Sequence, residues 1–370
     1  MQKNENLPLK TLLLALEEWA PAAWQESYDN AGLVLGRSGK DLSRVLICFD
    51  LTPDVVDEAI QKNVQLIISH HPPIFRGIKK IHPDSRTGYM LKRSLQHDIA
   101  WYSMHTNLDN TLSGVNRFLS RQLELQAAKP LVPLKGVYRK LQVYVPSSHA
   151  PALAQALAEA GCGAYRNYDS CHWECAGTGT FRALENARPF VGAPGKPHTE
   201  AETKLEFIYP AHKQRQVIGC IEKNHPYEEP AFDLFCLENE SMTEGAGVIG
   251  TLPVPLSEQQ LLDKLKSLTG VPCIRHSGFA GRNIRTLALC GGSGSAFIGA
   301  AQTQKADVYV TGDLKYHDFT DAEPGTWLVD IGHFESEQFV KELIYEYITE
   351  KFPNFAAHIS ERSSNPVSFY

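Results

Sequence analysis

The chain has no apolar run approaching the ~20 residues that cross a bilayer, so no membrane-spanning helix is expected. Its first residues, Met1-Gln2-Lys3-Asn4-Glu5-Asn6, lack the long apolar core of a secretory signal, and a cytoplasmic location follows as the expectation. Charge of one sign is not in excess. Thirty-six Lys and Arg face 42 Asp and Glu, a net charge of −6, with a pI near 6.2. Nothing in that balance asks for nucleic acid or an anionic membrane. Cysteine is sparse, with eight residues scattered over 370, as expected of reduced thiols. Cys171 and Cys175, flanking His172, form the one close pair, and no second Cys/His pair with zinc spacing follows. A strict internal repeat is missing too. What remains is 43% hydrophobic and 21% charged, ordinary for a soluble protein long enough for two domains or three.

The informative stretches are strand ends. Leu66-Ile67-Ile68-Ser69 is an apolar run that stops in His70-His71, and Pro72-Pro73 forbid its continuation. A short apolar run between breakers reads as a buried strand, and open α/β sheets place ligands at the C-terminal ends of such strands. Before it come a helix over 7–20, a turn at Asp29-Asn30 entering a short strand, a strand over 44–49, and a helix opened by Thr52-Pro53. After it come a basic loop (Arg76, Lys79, Lys80, His82, Arg86), read as solvated or as a lid for an anionic substrate, and a helix near 87–97. A strand over 99–104 ends in His105-Thr106-Asn107-Leu108-Asp109, and a helix over 114–123 closes the segment. Strands alternating with helices argue for a mostly parallel sheet.

Composition shifts near Pro130. Strand 141–146, helix 151–160, strand 202–209, helix 213–224 and strand 231–237 suggest the β-α-β-β-α-β ferredoxin-like order, with Gly177–Phe181 and the stretch 189–197 as turns or loops. Beyond Gly245 the first style returns. It has a helix over 256–269 capped by Ser257, a strand over 286–290, the glycine stretch 291–294 turning into a helix, and strands over 307–311 and 326–331, with a helix to about 350. The expected architecture is α/β. Residues 1–137 and 240–370 are similar halves of one core, interrupted by a ferredoxin-like α+β domain over 138–239.

Ligand-capable side chains gather at these strand ends. His70, His71, His105 and Asp109 come from the first half, and His333 and Glu337, one helical turn apart, from the second. Three imidazoles and two carboxylates exceed what one tetrahedral site needs, and carboxylates bridge paired cations. The simplest assembly takes His70, His71 and His333 as nitrogen donors and Asp109 and Glu337 as oxygen donors to two divalent ions. Zinc, iron, manganese and nickel all suit that set. His105 lies beside the metals as an acid/base, and His317 and Asp318 at a neighbouring strand end are further candidates to handle protons. The glycines at 291–294 lack the Lys-Ser/Thr of a P-loop and the full dinucleotide fingerprint. They serve either a phosphate or simply a tight turn.

At DNAGLVLG (29–36), SHHPPIF (69–75), HTNLD (105–109), GGSGS (291–295), TGDLKYHD (311–318) and DIGHFESE (330–337) the sequence resembles the Nif-three-like dinuclear metal-centre family, often labelled GTP cyclohydrolase type-two-like. The resemblance implies two metals held by His70, His71, Asp109, His333 and Glu337. GTGTFR (177–182) and NHPYEEPAFD (224–233) are similar to the insert of the longer YqfO-type members, which resembles the CutA and PII trimeric folds. A toroidal homohexamer is implied with them. The expected function is a metal-dependent hydrolase of a nucleotide or other small phosphorylated ligand. A metal carrier or sensor without turnover is the alternative.

Overall fold

The protein was analysed as a computed structural model that describes residues 5–320, 325–362 and 365–370. Of the N-terminal stretch read for a signal, Met1–Asn4 fall outside these. The described chain divides into two compact units, one of residues 1–133 with 242–370, the other of residues 134–241.

The first unit holds two large sheets. One runs 356–359, 44–48, 66–69, 100–103, 32–35. Its first four strands are parallel and the last is antiparallel. Leu66–Ser69 and Ala100–Ser103 are buried throughout, because helices cover both faces of a parallel sheet. Strand alternation sends Val45, Ile47, Leu66 and Ile68 to one face, against Leu9, Leu12 and Leu16 of helix Leu9–Trp19 and Ile344 and Ile348 of helix Val340–Lys351. Leu46, Cys48, Ile67 and Trp101 go to the other, against Val55, Val56 and Ala59 of helix Pro53–Gln61 and Met90 and Leu91 of helix Arg86–Gln96. Thr52 caps its helix by accepting from the Val55 N–H, and Ser85 accepts from Gly88, as N-cap chemistry requires.

The other sheet runs 275–276, 327–330, 308–312, 283–293, 245–257, 126–133. Strand 308–312 lies parallel to both of its neighbours. Leu287, Leu289, Val308 and Val310 pack on Leu261 and Leu265 of helix Glu258–Thr269, whose Ser257 and Gln260 form a reciprocal capping box. The halves interlock. Gln126–Pro133, from the first, closes the second sheet, and Ala356–Ile359, from the chain's end, joins the first.

The second unit is a four-stranded antiparallel sheet in the order 232–236, 138–146, 197–210, 172–182. Helices Ala150–Glu159 and Gln214–Asn224 bury Leu153, Leu157, Val217 and Ile221 against Leu141, Val143, Leu205 and Phe207. Two local expectations need correction. Gly177–Phe181 is not a turn but part of strand His172–Arg182. Gly179 pairs with Glu200, and a Cβ at 179 would collide with the Glu202 carboxylate, so the glycine serves a neighbour and does not break the strand. Leu7-Pro8 is not helical either. It pairs with Asp41-Leu42 before the helix begins.

Candidate metal centre

Five strand ends build the site. His70 and His71 follow Leu66–Ser69, Asp50 follows Arg44–Cys48, and His105 follows Ala100–Ser103. From the other sheet, Asp313 follows Val308–Gly312 and His333 follows Trp327–Asp330. Gly332, with φ +83°, makes the turn that starts helix His333–Glu337, and Asp109 ends the short helix Thr106–Asp109.

The structure brings all five expected ligands together. Glu337 Oε2 lies 3.0 Å from His333 Nε2 and 3.6 Å from Nε2 of both His70 and His71. His70 Nε2 lies 3.8 Å from Asp109 Oδ1, and Nε2 of His71 and His333 face each other at 3.3 Å. His70, His71 and Glu337 each place a donor atom within 4.8 Å of the others. His105 joins them by ring contact, its centroid 5.4 Å from His70 and 5.2 Å from His71.

Each imidazole has its other nitrogen tied outward. His70 Nδ1 meets the Met104 carbonyl, which can only accept, so this nitrogen carries the proton. Nδ1 of His71, His105 and His333 meets a carboxylate oxygen of Asp50, Asp29 and Asp313, each at 2.7 Å. That pattern orients each ring and turns every Nε2 inward, the outer-sphere arrangement of metal-ligating histidines, which leaves Nε2 as the nitrogen that must be free of its proton to take a metal. Three buried atoms at the centre, His70 Nε2, Asp109 Oδ1 and Glu337 Oε2, have no partner in hydrogen-bond geometry. Donor atoms converging in this way repel one another unless protons or a metal cation sit between them, and orphaned buried polar atoms are costly. The donor set therefore fits a divalent metal.

The charges agree. Burial raises the Asp109 carboxyl well above its usual range, with the Glu337 charge adding to it. Burial opposes ionisation of Glu337 too, but His333, His70 and His71 around it hold that carboxyl well below its usual value. Burial works against charge on His71, yet Asp50 and Glu337 raise it to about 10. The same balance, with Glu337 and Asp313 prevailing, raises His333 to about 9. Fully buried His70 is lowered by desolvation. Asp29 is desolvated, but its hydrogen bonds to His105 and Thr106 bring it down to about 2.

His317 and Asp318 stand apart. His317 is exposed with its ring edge-on to Tyr316, and Asp318 accepts from the Lys315 N–H at the start of its own short helix. Among the described residues no hydrogen bond, ion pair or ring contact joins either to the cluster. The glycine stretch offers no free cradle. The N–H groups of Gly291, Gly292 and Gly294 donate to Asn116, Ser336 and Thr311. A Cβ at Gly292 would collide with Glu337 Oε1, so these glycines make room for the carboxylate. Cys171, His172 and Cys175 form no metal-binding group among the described residues. Sequence reasoning missed Asp50 and Asp313 as imidazole partners. The available signal was their position directly after parallel strands. Asp29 was visible as a turn residue, not as the partner of His105.

No helix of the described chain is long and apolar enough to cross a membrane. Residues 7–366 match the family Duf34/NIF3 (NGG1p interacting factor 3). A Bacillus subtilis protein named GTP cyclohydrolase 1 type 2 homolog is 36% identical over 364 residues, covering 97% of each chain. A protein of the same name from Halalkalibacterium halodurans is 36% identical, covering 97% of this chain and 98% of its own. The crystal structure of a Bacillus cereus protein related to NIF3 superposes with a TM-score of 0.84, at 36% identity and full coverage of both chains. The chain belongs to the Duf34/NIF3 family.

Proposed function

We propose that this protein is a dinuclear-metal hydrolase acting on a nucleotide or another small phosphorylated molecule. The observation that carries the reading is the convergence of His70 Nε2, Asp109 Oδ1 and Glu337 Oε2, buried and unpartnered, on one point. With His71 and His333 they make five donors, more than one tetrahedral ion uses. Two divalent cations held there would act as Lewis acids on a carbonyl or phosphoryl oxygen.

The chain's own residues supply the rest. Asp29 fixes His105 with its Nδ1 proton outward, so Nε2 is the atom left to take or give a proton. Phe75, 6.1 Å from His105 and 6.2 Å from Tyr28, adds exposed rings on which a base can stack. The proton step belongs to His105 in this reading, because His317 and Asp318 lie outside the contact network. The name carried by the relatives, GTP cyclohydrolase 1 type 2 homolog, fits a nucleotide substrate. Residues 138–239, in β-α-β-β-α-β order, belong to the CutA/PII-like class in this reading, and the assembly is a homohexamer.

The test is turnover of GTP, a nucleoside phosphodiester and a phosphomonoester by zinc-, iron- or manganese-loaded protein. Hydrolysis of one of them by wild type, lost in Asp109→Asn, is expected. No turnover of any of them by either protein would overturn the hydrolase assignment and favour a metal carrier.

A further inference from the structure

Two sequence motifs play no part in the metal centre, and the second unit brings them to one place. GTGTFR supplies Gly179, Phe181 and Arg182, and NHPYEEPAFD supplies Tyr227, to the wall of a cavity of about 760 Å³. The loop over 183–196 closes it with Phe190. That volume falls within the range of small-molecule sites.

Its chemistry is specific. Four rings line it, those of Tyr144, Phe181, Phe190 and Tyr227, with Tyr227 5.8 Å from Phe181 and 6.3 Å from Phe190, tilted at 60° and 46°. Among them stands the half-buried carboxylate of Glu202. Its Oε1 accepts from the Tyr227 hydroxyl at 3.0 Å. Its other oxygen lies over the Cα of Gly179, in space that any Cβ would fill. The glycine of the first motif and the tyrosine of the second therefore both serve to seat this carboxylate.

Among the described residues no Lys, Arg or His makes an ion pair with Glu202. The nearby His225 is neutral by tautomer, with Nε2–H donating to the Tyr144 carbonyl and Nδ1 accepting from the Tyr227 N–H. Glu228 and Glu229 add two more negative charges to the lining, against the single exposed cation of Arg182. A negative carboxylate inside a box of aromatic faces attracts cations twice over, by Coulomb attraction and by the ring quadrupoles.

We propose that this cavity binds a small organic cation, an amine or amidine carried on an apolar or planar body. The ammonium sits between Glu202 and the rings of Phe181 and Tyr227, and the body lies against Phe190. The site shares no residue with the metal centre and does not depend on the hydrolase reading.

The test uses the full-length protein and three probes of one size: benzylamine, benzyl alcohol and benzoate, titrated by calorimetry and ligand-observed NMR at pH 7. Benzylamine is expected to bind about tenfold tighter than either of the others. Glu202→Gln, which keeps an oxygen for the Tyr227 hydroxyl, should abolish that preference. Phe190→Ala, at an exposed loop position, should weaken benzylamine without disturbing the fold. Equal or tighter binding of benzoate or benzyl alcohol would overturn the assignment of charge. Saturable binding of no probe would overturn the site itself, leaving a second copy of the chain as its occupant. An unchanged benzylamine affinity in Glu202→Gln would place the probe elsewhere and also overturn it.

Discussion

The metal centre and the aromatic cavity of residues 134–241 solve opposite problems with the same material. In the first, a buried carboxylate is ringed by imidazoles. Glu337 has three imidazoles within 3.6 Å, and each imidazole is braced from behind by a carboxylate or carbonyl. In the second, one half-buried carboxylate is held by a neutral phenol and has no ion pair among the described residues. Braced imidazoles select a metal ion, because only a small dense charge satisfies several inward lone pairs at once. Aromatic walls select a diffuse organic cation, which rings attract and need not coordinate. In both places a glycine, Gly292 or Gly179, makes room for the carboxylate.

The comparison can be broken or sharpened by substitution. The largest effect is expected at the proton-handling position. His105→Asn should lower turnover by about 10²–10⁴-fold with metal content unchanged, measured by steady-state kinetics and elemental analysis on one sample. Loss of metal in that variant would make His105 a ligand. Next come the braces. Asp50→Asn and Asp313→Asn should each weaken metal binding by about 10–100-fold in competition titrations, without altering benzylamine affinity. Gly292→Ala combines a left-handed backbone with a side chain aimed at Glu337. A loss of about 1–3 kcal/mol is expected in denaturant unfolding, with metal affinity lowered in parallel.

The smallest effect is on pH dependence and has two signs. In metal-free protein His71 and His333 sit at about 10 and 9, above the ordinary 6.5. The folded state binds their protons more tightly than the unfolded one. Their contribution is present in full below pH 6.5 and fades as pH rises through 9 and 10. Metal must displace the same protons, so affinity should rise over that window. Unfolding of the chelated protein and metal titration from pH 6.5 to 10 should therefore move in opposite directions. Parallel trends would mean that the two histidines are not protonated in the empty site.

Much of this was readable in the sequence where a strong pattern met a hard stop. The run Leu66–Ser69 ends in His70-His71-Pro72-Pro73, and Trp327–Asp330 ends in Gly332-His333, so strand, end and ligand were visible together. Asp109 and Glu337 were legible by their distance from a histidine. Asp50 and Asp313 were not, because one aspartate after a strand is also an ordinary turn or cap residue, and only the neighbouring strand's imidazole gives it a task. The glycines were ambiguous in two places. Gly177–Phe181 looked like a turn, yet Gly179 lies in a strand to accommodate Glu202. Gly291–Gly294 left a phosphate cradle and a tight turn both open, and three side chains take its N–H groups. Both are tertiary demands that no local window contains. The strand Ala356–Ile359 was missed because Ala-Ala-His-Ile carries little β-propensity. It is specified by its parallel pairing with Arg44–Cys48.

The most direct test is elemental analysis of purified wild-type protein beside His71→Ala and Glu337→Ala, each incubated with zinc, iron(II) or manganese and desalted. About two ions per chain in the wild type, falling in both variants while circular dichroism stays unchanged, is the expected result. Metal content near zero in wild type that none of the three ions restores would contradict the account.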